Sequence, residues 1–213
     1  MSSLIKPYGS LLSNALRRIR AKGACWAFTP GDFADLGDPR SVGMILTRLS
    51  RQDKIRRVRR GLYEVPRPHP LLGTVGADTD SIAQAIARRD ALKLLPSGAH
   101  AANALGLSNQ VAARTTYGIA GRSRVQSGSG KSEITFRHRS PRAMALAGRA
   151  SGWVAEALRN IGRANLTPDR LRPLRDRLGA KDRKQLLDDL RYVPAWMRPL
   201  FLDLARDDSQ AAP

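Results

Sequence analysis

The sequence predicts an α+β fold in two domains: an amino-terminal domain of helices closed by a β-hairpin, then a mixed domain with a helical carboxy-terminal part. Three observations predict it. Apolar residues recur at helical spacing over residues 8–51, two β-prone runs follow at once, and the stretch PRPHPLLG places three prolines within five positions. Proline lacks an N–H and biases its predecessor away from the helical region, so neither a helix nor a central strand runs through that stretch. A boundary follows there, giving domains 1–70 and 71–213.

In order along the chain, Leu11, Leu12, Ala15, Leu16 and Ile19 fall at helical spacing, with Arg17, Arg18 and Arg20 largely opposite. They predict a first helix over about 8–22. Thr29, Pro30 and Asp32 give a capping hydroxyl, a proline at the first helical position and an acid in the first turn, the start of a short helix that Gly37 ends. Asp38 and Pro39 repeat the start signal. Val42, Ile45, Leu46 and Leu49 then supply the apolar stripe of a third helix ending near Arg51. The segment KIRRVRRGLYEVP switches to two β-prone runs, 55–58 and 62–65, joined through Arg59, Arg60 and Gly61. Helix, helix, helix, hairpin is the order of a winged helix-turn-helix domain.

Composition says what such a domain meets. The 213 residues carry 37 Lys and Arg against 18 Asp and Glu, a net charge of +19, and 14 of those bases against 5 acids lie in residues 1–70. That balance points to a polyanion. A hydrophobic fraction of 42% with 5% aromatics suits a folded aliphatic core, not a disordered basic tail. No run approaches the ~18 to 20 apolar residues of a membrane span, and the amino terminus lacks a secretory pattern. A cytoplasmic protein without a membrane partner is expected. The single cysteine, Cys25, excludes an intramolecular disulfide and a cysteine-cluster zinc site.

If the stripe of the third helix faces the core, Arg40, Ser41, Met44, Thr47, Arg48 and Arg51 project outward or lie at the border. Arginine can donate two hydrogen bonds to guanine, Ser and Thr can donate or accept, and a helix fits the major groove. Lys54, Arg56, Arg57, Arg59 and Arg60 on the hairpin would straddle phosphates or enter the adjacent minor groove. The alternative is a solvated helix beside an ordinary edge ribbon. Gly43 costs about 1 kcal/mol against alanine in a helix interior. It either lets a neighbouring helix pack closely or lets the backbone approach DNA.

In the second domain PSGAHAANALGLSNQ reads as a turn and a small-residue helix, and residues 113–121 and 132–139 as a hairpin around a basic, glycine-rich connection. Helices are expected over 142–161, 168–178, 181–190 and 194–205. Arg137 and Arg139 alternate onto one strand face and, with Arg142, read as a second polyanion patch or as a solvated sheet face.

The segments RRGLYEVPRPHPLLG, PSGAHAANALGLSNQV, TTYGIAGRSR, ITFRHRSPR and EALRNIG together resemble the AbiEi-type antitoxins of bacterial type IV toxin-antitoxin systems, over about residues 10–205. The resemblance implies a bacterial transcriptional repressor that binds inverted repeats in the promoter of its own operon through a winged helix. It implies a second domain that neutralises a nucleotidyltransferase-like toxin without a stable complex. It assigns no antitoxic residue. Binding as cooperating monomers or as a dimer stays open.

Enzymatic readings are weak. GSGKS at 128–132 lacks the first glycine of a phosphate loop, where Val125 stands, and a strand follows it instead of a helix. His69, His100 and His138 lie on unrelated elements, which gives little support for a metal. Cys25 beside Trp26 and Phe28 reads as a small core residue, and Asp188 and Asp189 as part of a solvated helix face. No cofactor and no catalytic activity are expected. An RNA-binding or ribosome-associated protein, or an enzyme hidden in the second domain, are the competing readings. The RNA reading calls for exposed stacking aromatics, and Tyr63 and Tyr117 are the ones read as able to serve that way near basic residues.

Overall fold

Leu11, Ala15 and Ile19 recur every four residues, and in the computed structural model, which describes residues 8–71, 73–109, 115–127 and 133–206, they form the buried stripe of α1 (Tyr8–Lys22). The chain is mixed α and β and divides into two compact units. The first comprises residues 1–92 with 127–134; the second comprises 93–126 and 135–213.

In the first unit α1 is followed by β1 (Ala27–Phe28), a 3₁₀ turn (Pro30–Phe33) and α2 (Pro39–Arg51). The antiparallel hairpin β2 (Arg56–Arg59) and β3 (Leu62–Glu64) comes next, and the sheet order is β1-β3-β2. The short helix expected after Thr29 is thus a single 3₁₀ turn, closed by the Thr29 and Asp32 capping box. Only Arg60 and Gly61 connect β2 to β3, and Gly61 adopts the left-handed conformation (φ 71°) that so tight a turn requires. The core joins the α1 stripe to Val42, Ile45, Leu46 and Leu49 of α2 and to Phe28, Phe33, Ile55 and Tyr63. Phe28 stacks on Trp26 and Tyr63, with Phe33 edge-on to it, so the few aromatics of this unit are spent on one another. Gly37, before α2, lies so close to α1 that a Cβ there would run into Leu11 Cδ1.

The expected boundary near residue 70 falls inside this unit. β4 (Arg67–His69), inside PRPHPLLG, and β5 (Gly73–Val75), which starts at its last residue, pair as a separate two-stranded ribbon, where proline is tolerated because no inner neighbour needs its N–H. α3 (Thr79–Arg89), capped by Asp78, then returns to the first sheet. Its Ser81 hydroxyl donates to Cys25 O (3.1 Å) and accepts from Ala27 N (3.0 Å), and Arg88 donates to Asp32 (2.7 Å) and Ala27 O (2.9 Å). Glu64 is fully buried. It is paired with Arg56 and accepts from Ala77 N (2.7 Å), and Gly76 leaves the room that this pair fills.

The second unit holds β6 (Leu95–Pro96), α4 (Gly98–Ala104), β7 (Thr115–Ile119) and most of β8 (Arg124–Ser127) and β9 (Glu133–His138), in sheet order β6-β7-β9-β8. The hairpin expected from 113–121 and 132–139 is therefore part of a four-stranded sheet: β7 and β9 are neighbours, and β8 forms from residues read as connection. Residues 128–132, with the GSGKS segment, lie outside the described residues.

Helices follow as α5 (Pro141–Met144), α6 (Ala150–Ile161), α7 (Pro168–Arg177), α8 (Ala180–Asp188) and α9 (Arg198–Ala205). The single helix expected over 142–161 is broken before Ala150, with Gly148 left-handed (φ 76°). α6 runs through the core, and α4 packs so closely on it that a Cβ at Gly98 would be 2.9 Å from Glu156 O. Among the described residues no helix is long and apolar enough to cross a membrane.

Two expectations change here. Cys25 is half-buried and left-handed (φ 63°), held by its N–H on Val65 O (2.8 Å), and is not a core residue. Asp189 is buried, not on a solvated face. It accepts from Arg149 Nε (2.6 Å) and from the Ser151 hydroxyl at the start of α6, while Gln185 Oε1 accepts from Ala150 N (3.0 Å). α6 has no capping side chain of its own; Gln185 of α8 supplies the acceptor for Ala150 N, and the Asp189 carboxylate just past α8 faces the positive end of α6.

Candidate nucleic-acid interface

α2 begins at Asp38, whose carboxylate accepts from Arg40 N and Ser41 N (both 3.0 Å), with Pro39 at the first helical position. Hydrogen bonds from the Ser41 side chain and backbone, then from Arg40 N, hold this carboxyl below the usual aspartate range. A depressed folded value means the carboxylate stabilises the fold above the ordinary aspartate pKa, and that contribution is lost as pH falls through the folded value. The expected result is that Asp38→Asn keeps the cap at neutral pH but removes this acid-sensitive contribution, whereas Asp38→Ala lowers the thermal midpoint at neutral pH too. Melting curves of the three chains between about pH 7 and about pH 2 measure it.

With Val42, Ile45, Leu46 and Leu49 buried, α2 turns Arg40, Met44, Thr47, Arg48 and Arg51 outward, all exposed. The side chains of Arg40, Arg48 and Arg51 make no hydrogen bond or ion pair among the described residues. Two of the expected contact residues are engaged differently. Ser41 is half-buried and bonded to Asp38, and the Thr47 hydroxyl donates to Gly43 O (2.8 Å), so that hydroxyl serves its own helix backbone. At Gly43 a Cβ would meet nothing within 4 Å, so no neighbouring helix among the described residues requires the glycine.

On the hairpin the five bases separate. Arg56 is paired with buried Glu64, and Arg59 is half-buried beside Leu62 in the register. Lys54, Arg57 and Arg60 are exposed; Arg57 Nε reaches only Arg59 O at 3.4 Å, and Lys54 and Arg60 make no ion pair among the described residues. Ser50 at the end of α2, Lys54 in the turn, and Arg56 and Arg57 of β2 line one open depression of about 730 Å3. The cations facing this space come from the turn and the start of the hairpin, and α2 contributes Ser50 to its wall. Among the described residues Asp53 is the acid that lines it.

The second basic patch is corrected. Arg139 binds Glu156 (2.5 Å), which also pairs with Arg159, and its stem passes over Gly118. Arg142 donates to the carbonyls of Arg191, Tyr192 and Val193 at 2.9–3.1 Å. Both guanidiniums hold the second unit together, and only Arg137 of the three is exposed without such a bond among the described residues. Alternation along a strand showed the shared face but not the buried carboxylate or the orphan carbonyls that claim those arginines.

Tyr63 and Tyr117 are buried, and among the described side chains no aromatic is exposed. His100 packs edge-on between Tyr117 (5.8 Å) and Trp153 (5.4 Å), His69 Nδ1 accepts from Leu71 N (3.2 Å), and His138 Nδ1 faces the carbonyls of Ala120 and Gly121. Met44, 49% exposed at the centre of the α2 face, is the residue that a search for polar contacts passes over. Its signal was its place opposite the apolar stripe.

A family model described as a family of unknown function, DUF6088, matches residues 14–186. No curated protein matches the chain.

Proposed function

The chain belongs to the DUF6088 family, and on that premise, which names no activity, we propose that its first unit is a winged helix that binds duplex DNA. α2 enters the major groove, and Lys54, Arg57 and Arg60 of the short wing lie along phosphates. One observation carries this reading: the outward row of α2 ends in arginines that pair with no acid among the described residues, while Asp38 is used as a cap and Asp32, Asp35 and Glu64 in internal pairs, which leaves the exposed Asp53 as the one unengaged acid near the row. α2 carries no Glu or Asp at i, i+3 or i, i+4 spacing from its arginines, so none of their charge is offset on the helix itself.

The element order α1, β1, 3₁₀ turn, α2, β2, β3 with sheet order β1-β3-β2 supports the winged-helix reading. Among the described side chains every Phe and Tyr63 and Tyr117 are buried and Tyr192 and the tryptophans half-buried, which favours duplex over single strands, because single-strand readers stack bases on exposed rings. The role proposed is a repressor of its own operon, one copy on each half of an inverted repeat. The second unit carries the toxin-neutralising activity that the antitoxin resemblance implies.

The experiment is a competition in which the full chain, held on a labelled random duplex, is challenged with unlabelled duplex DNA or single-stranded RNA. The duplex is expected to displace the label at lower concentration. Preferential displacement by the RNA would overturn the proposal. A footprint over the region upstream of the gene then locates the operator.

A further inference from the structure

At about 100° per residue, residues 40, 44, 47 and 51 of α2 lie within about 60° of one line, the line opposite the core stripe. The two ends of that row are arginines about 16 Å apart by helical rise. Its middle is different in kind. Met44 stands 49% exposed, and the Thr47 hydroxyl is turned back onto Gly43 O at 2.8 Å, which leaves the hydroxyl's donor spent and its methyl as the remaining outward group. Gly43, beside Thr47, opens onto space where a Cβ would touch nothing.

The helix thus carries a glycine that disfavours it, with no packing contact to account for it, next to an exposed methionine. A protein facing water alone gains nothing from either. A partner that brings a small apolar group to within a methyl radius of the backbone gains from both.

Resting on the reading of α2 as a major-groove helix, we propose that the Gly43, Met44 and Thr47 patch recognises thymine through its 5-methyl group. In the major groove that methyl is the one apolar feature that distinguishes a base pair. A helix span of about 16 Å covers roughly five base-pair steps of 3.4 Å, so the arginines fall toward the flanks and the methyl-reading patch on the central one or two pairs. The half-site is therefore A·T at its centre. Guanine or phosphate contacts lie on either side.

The test uses the full chain to enrich duplexes from a random-sequence library. Each thymine of the enriched site is then replaced in turn by deoxyuridine, which removes only the methyl. At one or two adjacent central thymines the wild-type affinity is expected to fall about fourfold, the worth of one buried methyl, and Met44→Ala is expected to abolish most of that penalty. Gly43→Ala is expected to move two readouts in opposite directions. The thermal midpoint rises by about 2 °C or more as the helix gains propensity, while affinity for the enriched duplex falls at least about fivefold as the new methyl fills the space that thymine needs.

Deoxyuridine that is silent at every thymine overturns the inference, as does a Gly43→Ala chain that binds as tightly as wild type. Both results leave duplex binding itself intact. Failure of any duplex to enrich overturns the DNA reading and this inference together.

Discussion

Replacing Arg40, Arg48 and Arg51 with alanine in one chain is expected to weaken binding to an enriched duplex by about a hundredfold to a thousandfold. A well-placed guanidinium on a base edge is worth about 1–3 kcal/mol, and each 1.4 kcal/mol is tenfold. The three side chains are exposed and make no ion pair among the described residues, so their removal leaves no buried partner stranded. Stability is expected to change by no more than about 0.5 kcal/mol per site, which separates a weakened interface from an unfolded chain. The single variant Arg48→Ala divides the effect further. An arginine that reads a base leaves, on its removal, a narrower ratio between enriched and random duplex, whereas one that holds a phosphate leaves both duplexes weaker by the same factor. Anisotropy titrations of the two chains on the two duplexes measure this, and unchanged affinity in the triple variant removes α2 from the interface.

Arg149→Ala is the counterpart on the side of stability. Asp189 is buried, with 3% of its surface exposed, and Arg149 and the Ser151 hydroxyl are its hydrogen-bond donors from α6 and the residue before it. Removing the arginine leaves a carboxylate in the core with a neutral donor only. Breaking a buried pair from one side costs about 3–5 kcal/mol; the 37% exposure of the Arg149 side chain argues for the lower end of that range. A fall in the thermal midpoint of about 6–12 °C follows for a chain of this length. The double variant Arg149→Ala, Asp189→Asn is expected to recover part of the fall, since no charge is then buried. Calorimetry of the full chains measures both, and a single-variant fall under about 2 °C would mean that water screens the pair.

Much of the first unit was legible because its signals are local. Asp38 and Pro39 start α2, the Val42, Ile45, Leu46 and Leu49 stripe orients it, and both act within one or two helical turns. β2 and β3 were legible for the same reason, since two β-prone runs flank a tight turn at Gly61; the one-residue register shift between Arg57 and Arg59 was not.

What escaped is what depends on distant partners. α3 is alanine-rich, and its packing on β1 rests on Ser81 and Arg88, each bonded to residues more than fifty positions away. The boundary was placed too early because the prolines that end a central strand are compatible with the β4–β5 ribbon. Charge was read by type, and type does not say which arginines are engaged. Arg56 and Arg139 are committed to Glu64 and Glu156, whose burial calls for a cation, and Arg142 is committed to three carbonyls. The candidate surface contracted accordingly to Arg40, Arg48 and Arg51 on α2 and Lys54, Arg57 and Arg60 beyond it.

That contracted surface is tested most directly by the salt dependence of affinity, measured for the wild-type chain and for Lys54→Ala, Arg57→Ala, Arg60→Ala combined. Each phosphate neutralised on a duplex contributes about −0.9 to the slope of log affinity against log salt. The wild type is expected to show a steep negative slope, and the triple variant a slope shallower by up to about 2.7 with its thermal midpoint unchanged. A flat wild-type slope, or the same slope in both chains, would contradict a duplex held between α2 and the hairpin.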